Sequence, residues 1–316
     1  MASVVAFGEA FADIDWFDDG WLKAQLGGSC ANVTTEVSIM GGYSAIITKL
    51  SNDSLGRFVL RSLSDYGVNT ELVVMSNEKA HNNSLNIICR SSMGAEYLIY
   101  NHGCVEQTLT EEEIRFDEIA KYDVFHFGSN PIASPTAGLV DKCIDYARKH
   151  GCKISYDVNN RPGFWANSIE ATQTINKYVQ KSDYIKMNEP EANLCAGELD
   201  DITKSIDVLS KKYKDKILII TCSEKGSYIL NQGKITLIAP KMVTRCDDVG
   251  AGDAYYAVFL RLLCVSDTTN ENYVKIANIA SDISALSVKF HGTISAFKEA
   301  LLEYGFKGSD CSLCRV

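Results

Sequence analysis

The sequence is short of positive charge, of long apolar runs and of the usual nucleotide-binding signatures, and each shortage excludes something. Its 316 residues carry 31 Lys and Arg against 40 Asp and Glu, a net charge of −9. A nucleic-acid surface needs a basic footprint to attract phosphate and none is evident, so no nucleic-acid partner is expected. No apolar stretch approaches the ~20 residues that span a bilayer, so no membrane partner is expected either. Met1–Gly8 has neither the basic start nor the long apolar core of a signal peptide and reads as a first strand. The 11 cysteines are odd in number. Cys89, Cys195, Cys222 and Cys264 sit in apolar runs, as buried thiols do in a reducing cytoplasm. Cys311 and Cys314 form one CxxC with no second pair to complete a zinc site, and read as a frayed tail.

The familiar phosphate motifs fail by inspection. Gly233-Lys234 is followed by Ile235, so it is not the GK[ST] of a P-loop, and a dinucleotide GxGxxG would need glycine where Tyr255 stands. Protein-kinase signatures are missing too. No Pro/Gly/Ser-rich linker and no internal repeat divides the chain.

What is present is an ordinary globular composition, 46% apolar and 22% charged, with length enough to bury a large core. Apolar β-branched runs at Val4–Gly8, Ala45–Lys49, Val124–Gly128, Lys153–Val158, Tyr184–Met187 and Ile217–Cys222 read as strands. Helical spacing fills Ala31–Met40, Ser54–Tyr66, Thr136–His150, Ile169–Lys181 and Ser205–Tyr213 between them. That alternation predicts an α/β fold with a mainly parallel sheet covered by helices on both faces. Leu230–Ile235 reads as a hairpin turn. From Thr70 to Tyr100, short strands (Leu72–Met75, Leu85–Cys89, Glu96–Tyr100) follow one another without helices. They predict a small separate sheet serving as a lid, an insertion within one domain.

The strongest chemical signal is Cys246-Asp247-Asp248-Val249-Gly250-Ala251-Gly252-Asp253-Ala254, followed by the apolar run Tyr255–Leu263. Gly-Ala-Gly at a helix start leaves bare N–H groups at the positive end of the helix dipole, which makes an anion hole. Asp253, in the first turn, would stand beside the anion. Charge neutralisation next to a proton acceptor is what phosphoryl transfer to a hydroxyl requires, although the same residues could simply cap and turn a helix. Near the N-terminus, Asp13 follows the first strand and Gly27-Gly28 precedes a helix carrying Asn32, a set suited to binding a polyol. Asp157–Pro162 and Lys186–Glu191 fall at the ends of successive strands, where ligands bind parallel sheets. Arg161 and Lys186 suit phosphates there, and Asn188 and Glu191 suit a magnesium ion held through water.

With these residues laid out, the chain resembles the ribokinase-like sugar kinases, the PfkB family, along nearly its whole length. Asp247–Asp253 is similar to the family's DTxGAGD signature, Gly27–Asn32 to its GGxxAN element and Asn188–Glu191 to its NxxE. Phe125–Ser129 and Asp157–Arg161 resemble segments of the fructokinase and 2-keto-3-deoxygluconate kinase branch. The resemblance implies a ribokinase-like three-layer αβα sandwich over 1–316. Its small β-sheet lid would be formed mainly by about 70–105 with part of 10–27. It implies an ATP-dependent carbohydrate kinase transferring the γ-phosphate to a primary hydroxyl of a monosaccharide, a fructose-like ketose first.

On this sequence Asp253 would be the base, with Gly250, Ala251 and Gly252 as the anion hole. Asp13, Gly27, Gly28, Asn32, Tyr100 and Asn159 would bind the sugar. Arg161, Lys186, Asn188, Thr221, Ser223, Gly226 and Asn278 would border ATP, with Glu191 ordering Mg2+ through water. A monovalent cation such as K+ near Asp247 and a homodimer through the lid sheet are further implications. Three departures bear on the substrate and its ions. Ser223 replaces a glycine, Asp248 and Val249 replace a small polar pair, and Asn101 stands where relatives commonly carry arginine. The last weakens the case for a carboxylate-bearing sugar. The alternatives are a sugar-acid kinase, a nucleoside kinase and a catalytically silent sugar-binding regulator. A nicotinamide oxidoreductase is disfavoured by the position of the glycine run.

Overall fold

The computed structural model describes residues 3–91, 94–264, 266 and 269–306, so Cys311 and Cys314 lie outside the described residues. Its strands are β1 (Ser3–Phe7), β2 (Phe11–Phe17), β3 (Leu22–Gly27), β4 (Tyr43–Ser51), β5 (Val73–Ser76), β6 (Leu85–Ser91) and β7 (Gly94–Tyr100). They continue as β8 (Val124–Phe127), β9 (Lys153–Asp157), β10 (Tyr184–Asn188), β11 (Ile217–Thr221), β12 (Ser227–Asn231) and β13 (Lys234–Ile238). Nine of them form one sheet in the order β13-β12-β11-β10-β9-β8-β1-β4-β5. Every pairing from β11 to β5 is parallel, and the β11-β12-β13 edge is antiparallel.

Parallel strands covered on both faces should be apolar throughout, and β1 is: Val4, Val5, Ala6 and Phe7 are all buried. Val5 and Phe7 belong with Ile144, Tyr156 and Tyr178 to one apolar cluster, while Val4 belongs with the Ala251–Leu263 helix residues Val258 and Phe259 to another. Burying side chains of this size is worth about 1.5–3 kcal/mol each. The Ala251–Leu263 helix is buried almost all round, as its unbroken apolar sequence requires. The β12–β13 hairpin turns through Gln232 and Gly233, both at positive φ, the primed turn that suits the twist of paired strands.

A second sheet has the order β3-β2-β6-β7. It packs through Ala12, Leu26 and Leu85 against Ala31, Ile46 and Leu63. One expectation is corrected here. The first strand after Thr70 is not part of the small sheet: Val73–Ser76 pairs in parallel with Thr48–Ser51 at the edge of the large one. The chain climbs away only at β6.

Chain order fans out from β1, which has β4 on one side and β8 on the other. A crevice opens outside the carboxyl ends of the strands at such a reversal. Residues that follow β1, β8, β9 and β10 reach it, with Thr221 at the end of β11.

Candidate active site

Two cavities meet at the start of the Ala251–Leu263 helix. The larger, about 580 Å3, is walled by strand-end residues including Asp13, Gly28, Asn32, Asn159, Arg161, Lys186 and Asp253. The smaller, about 290 Å3, is walled by Thr221, Ser223, Gly226, Pro240, Met242, Ser284 and Val288. Thr221, Asp248 and Gly252 belong to both, so the helix start is a common wall.

That start is built by Gly250, at φ 79, a left-handed conformation that glycine takes without penalty. A side chain there would also strike Thr293. The Ala251 amide is partly used by the turn, donating to the Asp248 carbonyl at 3.3 Å. The amides of Gly252 and Asp253 have no backbone acceptor among the described residues. The bare amides at this helix start are therefore those of Gly252 and Asp253, while that of Ala251 is engaged in the turn.

Asp253 faces the larger cavity. Its two oxygens accept from Ser29 Oγ at 2.7 Å and Asn32 Nδ2 at 2.8 Å. Both donors lie in the first turn of the Ser29–Ile39 helix, which the Gly27-Gly28 step brings alongside. Burial raises the Asp253 pKa above the usual carboxylate range and the nearby Asp157 charge adds to this, while the Asn32 and Lys186 contacts oppose it. A carboxylate so placed is a stronger proton acceptor than a solvated one.

Lys186 supplies the positive charge. Register places it beside Asp157 on the neighbouring strand, and its Nζ donates to both Asp157 oxygens at 3.0 and 2.8 Å. A Cβ on Gly252 would lie 3.2 Å from that Nζ, so the ammonium stands beside the bare amides of the helix start. Burial alone would lower the Lys186 pKa. Asp157 and Glu191 outweigh it and hold the lysine above its ordinary value. Arg161 lines the same cavity with an exposed side chain.

Asn188 and Glu191 form a reciprocal capping box. Glu191 N donates to Asn188 Oδ1 at 3.0 Å and Asn188 N to Glu191 Oε2 at 2.8 Å, while Glu191 Oε1 accepts from Asn160 N at 2.7 Å. Burial, then Asp157, raises the Glu191 pKa. No cluster of three or more metal-ligating side chains exists among the described residues. Asn188 Oδ1 and both Glu191 oxygens already accept backbone N–H bonds, so a magnesium ion near them would meet these groups through its waters.

Several expected site residues sit elsewhere. Tyr100 follows Ile99 along β7 and so points to the opposite face, 55% exposed, whereas Ile99 and Asn101 line the cavity. Asn278 is exposed and donates to Val274 on its own helix, and Ser281, Ser284 and Ala285 take the place at the smaller cavity. Gly27 acts at one remove: a side chain there would collide with the Asp13 carboxyl. Ser223 lines the smaller cavity at φ 49, a left-handed backbone that explains why glycine suits this position. Gly226 and Thr221 line the same wall. Asp248 pairs with Arg245 at 2.6 Å, which offsets its charge at the cavity mouth.

Sequence reasoning overlooked Glu9, Ser29 and Asn86. Ser29 and Asn86 are polar residues that only the fold aims at Asp253 and Asp13. Glu9 lies at the floor of the larger cavity, accepts from Ser29 N at 3.0 Å and has a second oxygen with no partner. Burial, with Asp253 adding, raises its pKa from 4.5 to about 7. The folded protein thus binds this proton more tightly than the unfolded chain, and stability falls as pH rises from 4.5 to about 7. Glu9→Gln is expected to stabilise the fold by about 3 kcal/mol near pH 8 and by almost nothing near pH 4. Urea titrations at both pH values check this, and an equal effect at both would exclude a buried ionisation.

Comparisons with known proteins identify the family. The model for the pfkB family carbohydrate kinases matches residues 1–300. The chain belongs to the PfkB family of carbohydrate kinases. Among curated relatives, Fructokinase-1 of Oryza sativa subsp. japonica is 28% identical over 299 residues, covering 89% of this chain and 91% of the relative. Fructokinase-2 of the same plant is 30% identical over 283 residues, covering 86% and 83%. Among solved structures, fructokinase from Xylella fastidiosa with bound ATP superposes with a TM-score of 0.84 at 20% identity, over 96% of this chain and 98% of that one. A fructokinase double mutant from Vibrio cholerae O395, bound to fructose, ADP and potassium, gives 0.83 at 21% identity over the same shares. The ribokinase-like α/β fold of this PfkB kinase is the one its sequence implies, and no helix among its described residues is long and apolar enough to cross a membrane.

Proposed function

We propose that this PfkB kinase transfers the γ-phosphoryl group of ATP to a primary hydroxyl of a ketose, with fructose as the first substrate to test. The observation that carries it is the position of Asp253, held by Ser29 and Asn32 at the wall between a polar cavity and a second, more apolar one. The polar cavity, with Asp13, Asn32, Asn86 and Asn159, suits a polyol. The other cavity, beside Thr221, Gly226 and Val288, suits a nucleotide. Asp253 takes the hydroxyl proton as that oxygen bonds to the γ-phosphorus and ADP leaves. Lys186, Arg161 and the Gly252 and Asp253 amides bear the developing phosphoryl charge. Magnesium, held by Asn188 and Glu191 through water, would neutralise phosphate charge when bound. A potassium ion beside Asp247 would share a carboxylate that already accepts from the Val249 and Gly292 amides.

The β3-β2-β6-β7 sheet covers the sugar cavity as a lid. Its outer face exposes Trp16, Leu22 and Tyr100, and a second copy of the chain covers them. Light scattering on a sizing column should give a mass near twice 34.8 kDa. The cytoplasm fits a chain whose nine described cysteines are all free thiols.

ADP release with fructose, other ketoses, sugar acids and nucleosides tests the reading, and silence across the panel would overturn it. Asn101, buried in the cavity, bears on the sugar acids. Asn101→Arg should improve kcat/KM for a sugar acid relative to fructose by about 10-fold, because a guanidinium can pair with a carboxylate in two-pronged fashion. An unchanged ratio would mean that this lid position does not face the sugar.

A further inference from the structure

The larger cavity offers its occupant acceptors and no spare donors. Three buried oxygens on its wall have no partner: Glu9 Oε2, Asn32 Oδ1 and Asn86 Oδ1. The two amides cannot turn round to become donors there, because Asn32 Nδ2 donates to Asp253 at 2.8 Å and Asn86 Nδ2 to Asp13 at 2.9 Å. Among the described residues of that wall, no buried side-chain donor is left unpaired. Buried acceptors without donors cost stability, so what fills the cavity gains by bringing N–H or O–H groups to them.

Charge narrows the choice. Apart from Asp248, which pairs with Arg245, the described wall carries the acids Glu9, Asp13, Glu191 and Asp253 against the cations Lys186 and Arg161. Lys186 is already held by both oxygens of Asp157. Glu9 is 7% exposed, and the charged group that faces it is another acid, Asp253. Glu9 also borders a chamber of about 20 Å3, room for one water, which no described lysine, arginine or histidine lines. A water there would leave the charge of Glu9 without a counter-ion. Asn101, buried in the wall of the larger cavity, adds no positive charge.

We propose that the preferred substrate is a ketose bearing a protonated amine, with Glu9 as the counter-ion of the ammonium and the Asn32 and Asn86 carbonyls as further acceptors. This rests on the sugar-kinase reading and narrows its substrate. An ammonium donates up to three hydrogen bonds where a hydroxyl donates one, and its bond to a carboxylate is roughly twice as strong as a neutral one. Ser29 sets the spacing of the two acids: its N–H donates to Glu9 and its hydroxyl to Asp253. One acid thus serves the amine and the other the reacting hydroxyl. That hydroxyl gives its proton to Asp253 as its oxygen bonds to the γ-phosphorus and ADP leaves, and the ammonium keeps its protons throughout.

Calorimetric titration of the full chain without nucleotide, at about pH 7.5, compares 1-amino-1-deoxyfructose, its N-acetyl derivative and fructose. Burial raises the Glu9 pKa to about 7, so the carboxyl is mostly ionised there. The amine is expected to bind on the order of 10-fold more tightly than either neutral sugar, and Glu9→Gln to shrink that preference by a similar factor. The melting temperature of Glu9→Gln reports its folding, and the N-acetyl comparison needs no variant. ADP release with the same three sugars should favour the amine in kcat/KM by the same margin. Equal binding of the amine and its N-acetyl derivative, a preference for fructose, or binding of none overturns the inference, and turnover of fructose then leaves the kinase reading standing. A preference unchanged in folded Glu9→Gln overturns Glu9 as the counter-ion. Tighter binding of the amine with no ADP release from any of the three overturns the kinase reading and leaves the amine site in place.

Discussion

Asp253→Asn is expected to lower kcat by roughly 10³-fold while leaving the affinity for fructose within about 3-fold of wild type. The substitution keeps the shape of the side chain and removes only its capacity to take a proton. An asparagine can still accept from Asn32 Nδ2 through its carbonyl, and it can donate to Ser29 Oγ, because a hydroxyl rotates between donor and acceptor roles. The cavity therefore stays assembled, and the loss appears in kcat and not in binding. Single-turnover phosphoryl transfer together with calorimetric fructose titration separates the two. Turnover near the wild-type rate would remove Asp253 from the role of base. Loss of fructose binding with loss of rate would make it a structural residue.

Lys186→Met is expected to be the most damaging substitution to the fold. Lys186 is the cation that faces the buried Asp157 and Glu191 and the half-buried Asp253. Its ion pair with Asp157 leaves the two side chains 7% and 0% exposed. Taking one partner from such a pair strands the other and typically costs about 3–5 kcal/mol. Glu191 and Asp253 already have pKa values raised by burial, and without the ammonium they rise further. A carboxyl whose folded-state pKa exceeds its unfolded one favours folding where it is protonated and penalises it at higher pH. The loss should therefore be larger near pH 8 than near pH 5, the opposite of ordinary acid denaturation. Urea midpoints at the two pH values give the answer, and a pH-independent deficit would mean that the carboxylates do not share the lysine. The variant should also lose phosphoryl transfer, since the ammonium sits beside Gly252.

What could be read from the sequence, and what could not, divides along physical lines. Strand and helix existence follows from periodicity, and the parallel sheet follows from their alternation. The glycine run announces its chemistry because φ 79 at Gly250 and a bare helix start need those residues locally. Tyr100 failed for a different reason. Adjacent strand residues point to opposite faces, so a one-residue ambiguity exchanges Tyr100 for Ile99 and Asn101. Val73–Ser76 was assigned to the wrong sheet because a four-residue strand carries no mark of the partner it will pair with. Glu9 carries no local signal of its place, since burial is a property of the assembled cavity. The Asp157–Lys186 pair depends on the register of two strands 29 residues apart, which no local pattern encodes. Asn278 kept its helix but not its facing: Ser281 and Ser284 lie on the side that meets the cavity.

The two hydrogen bonds that hold Asp253 span 224 and 221 residues of chain. During synthesis, the helix bearing Ser29 and Asn32 leaves the ribosome long before its acid partner is made. A nascent chain therefore gains a working site only after the Ala251–Leu263 helix emerges and docks. Until then it cannot waste ATP on water, and a fragment broken anywhere between the two helices regains the reaction only if both pieces reassociate.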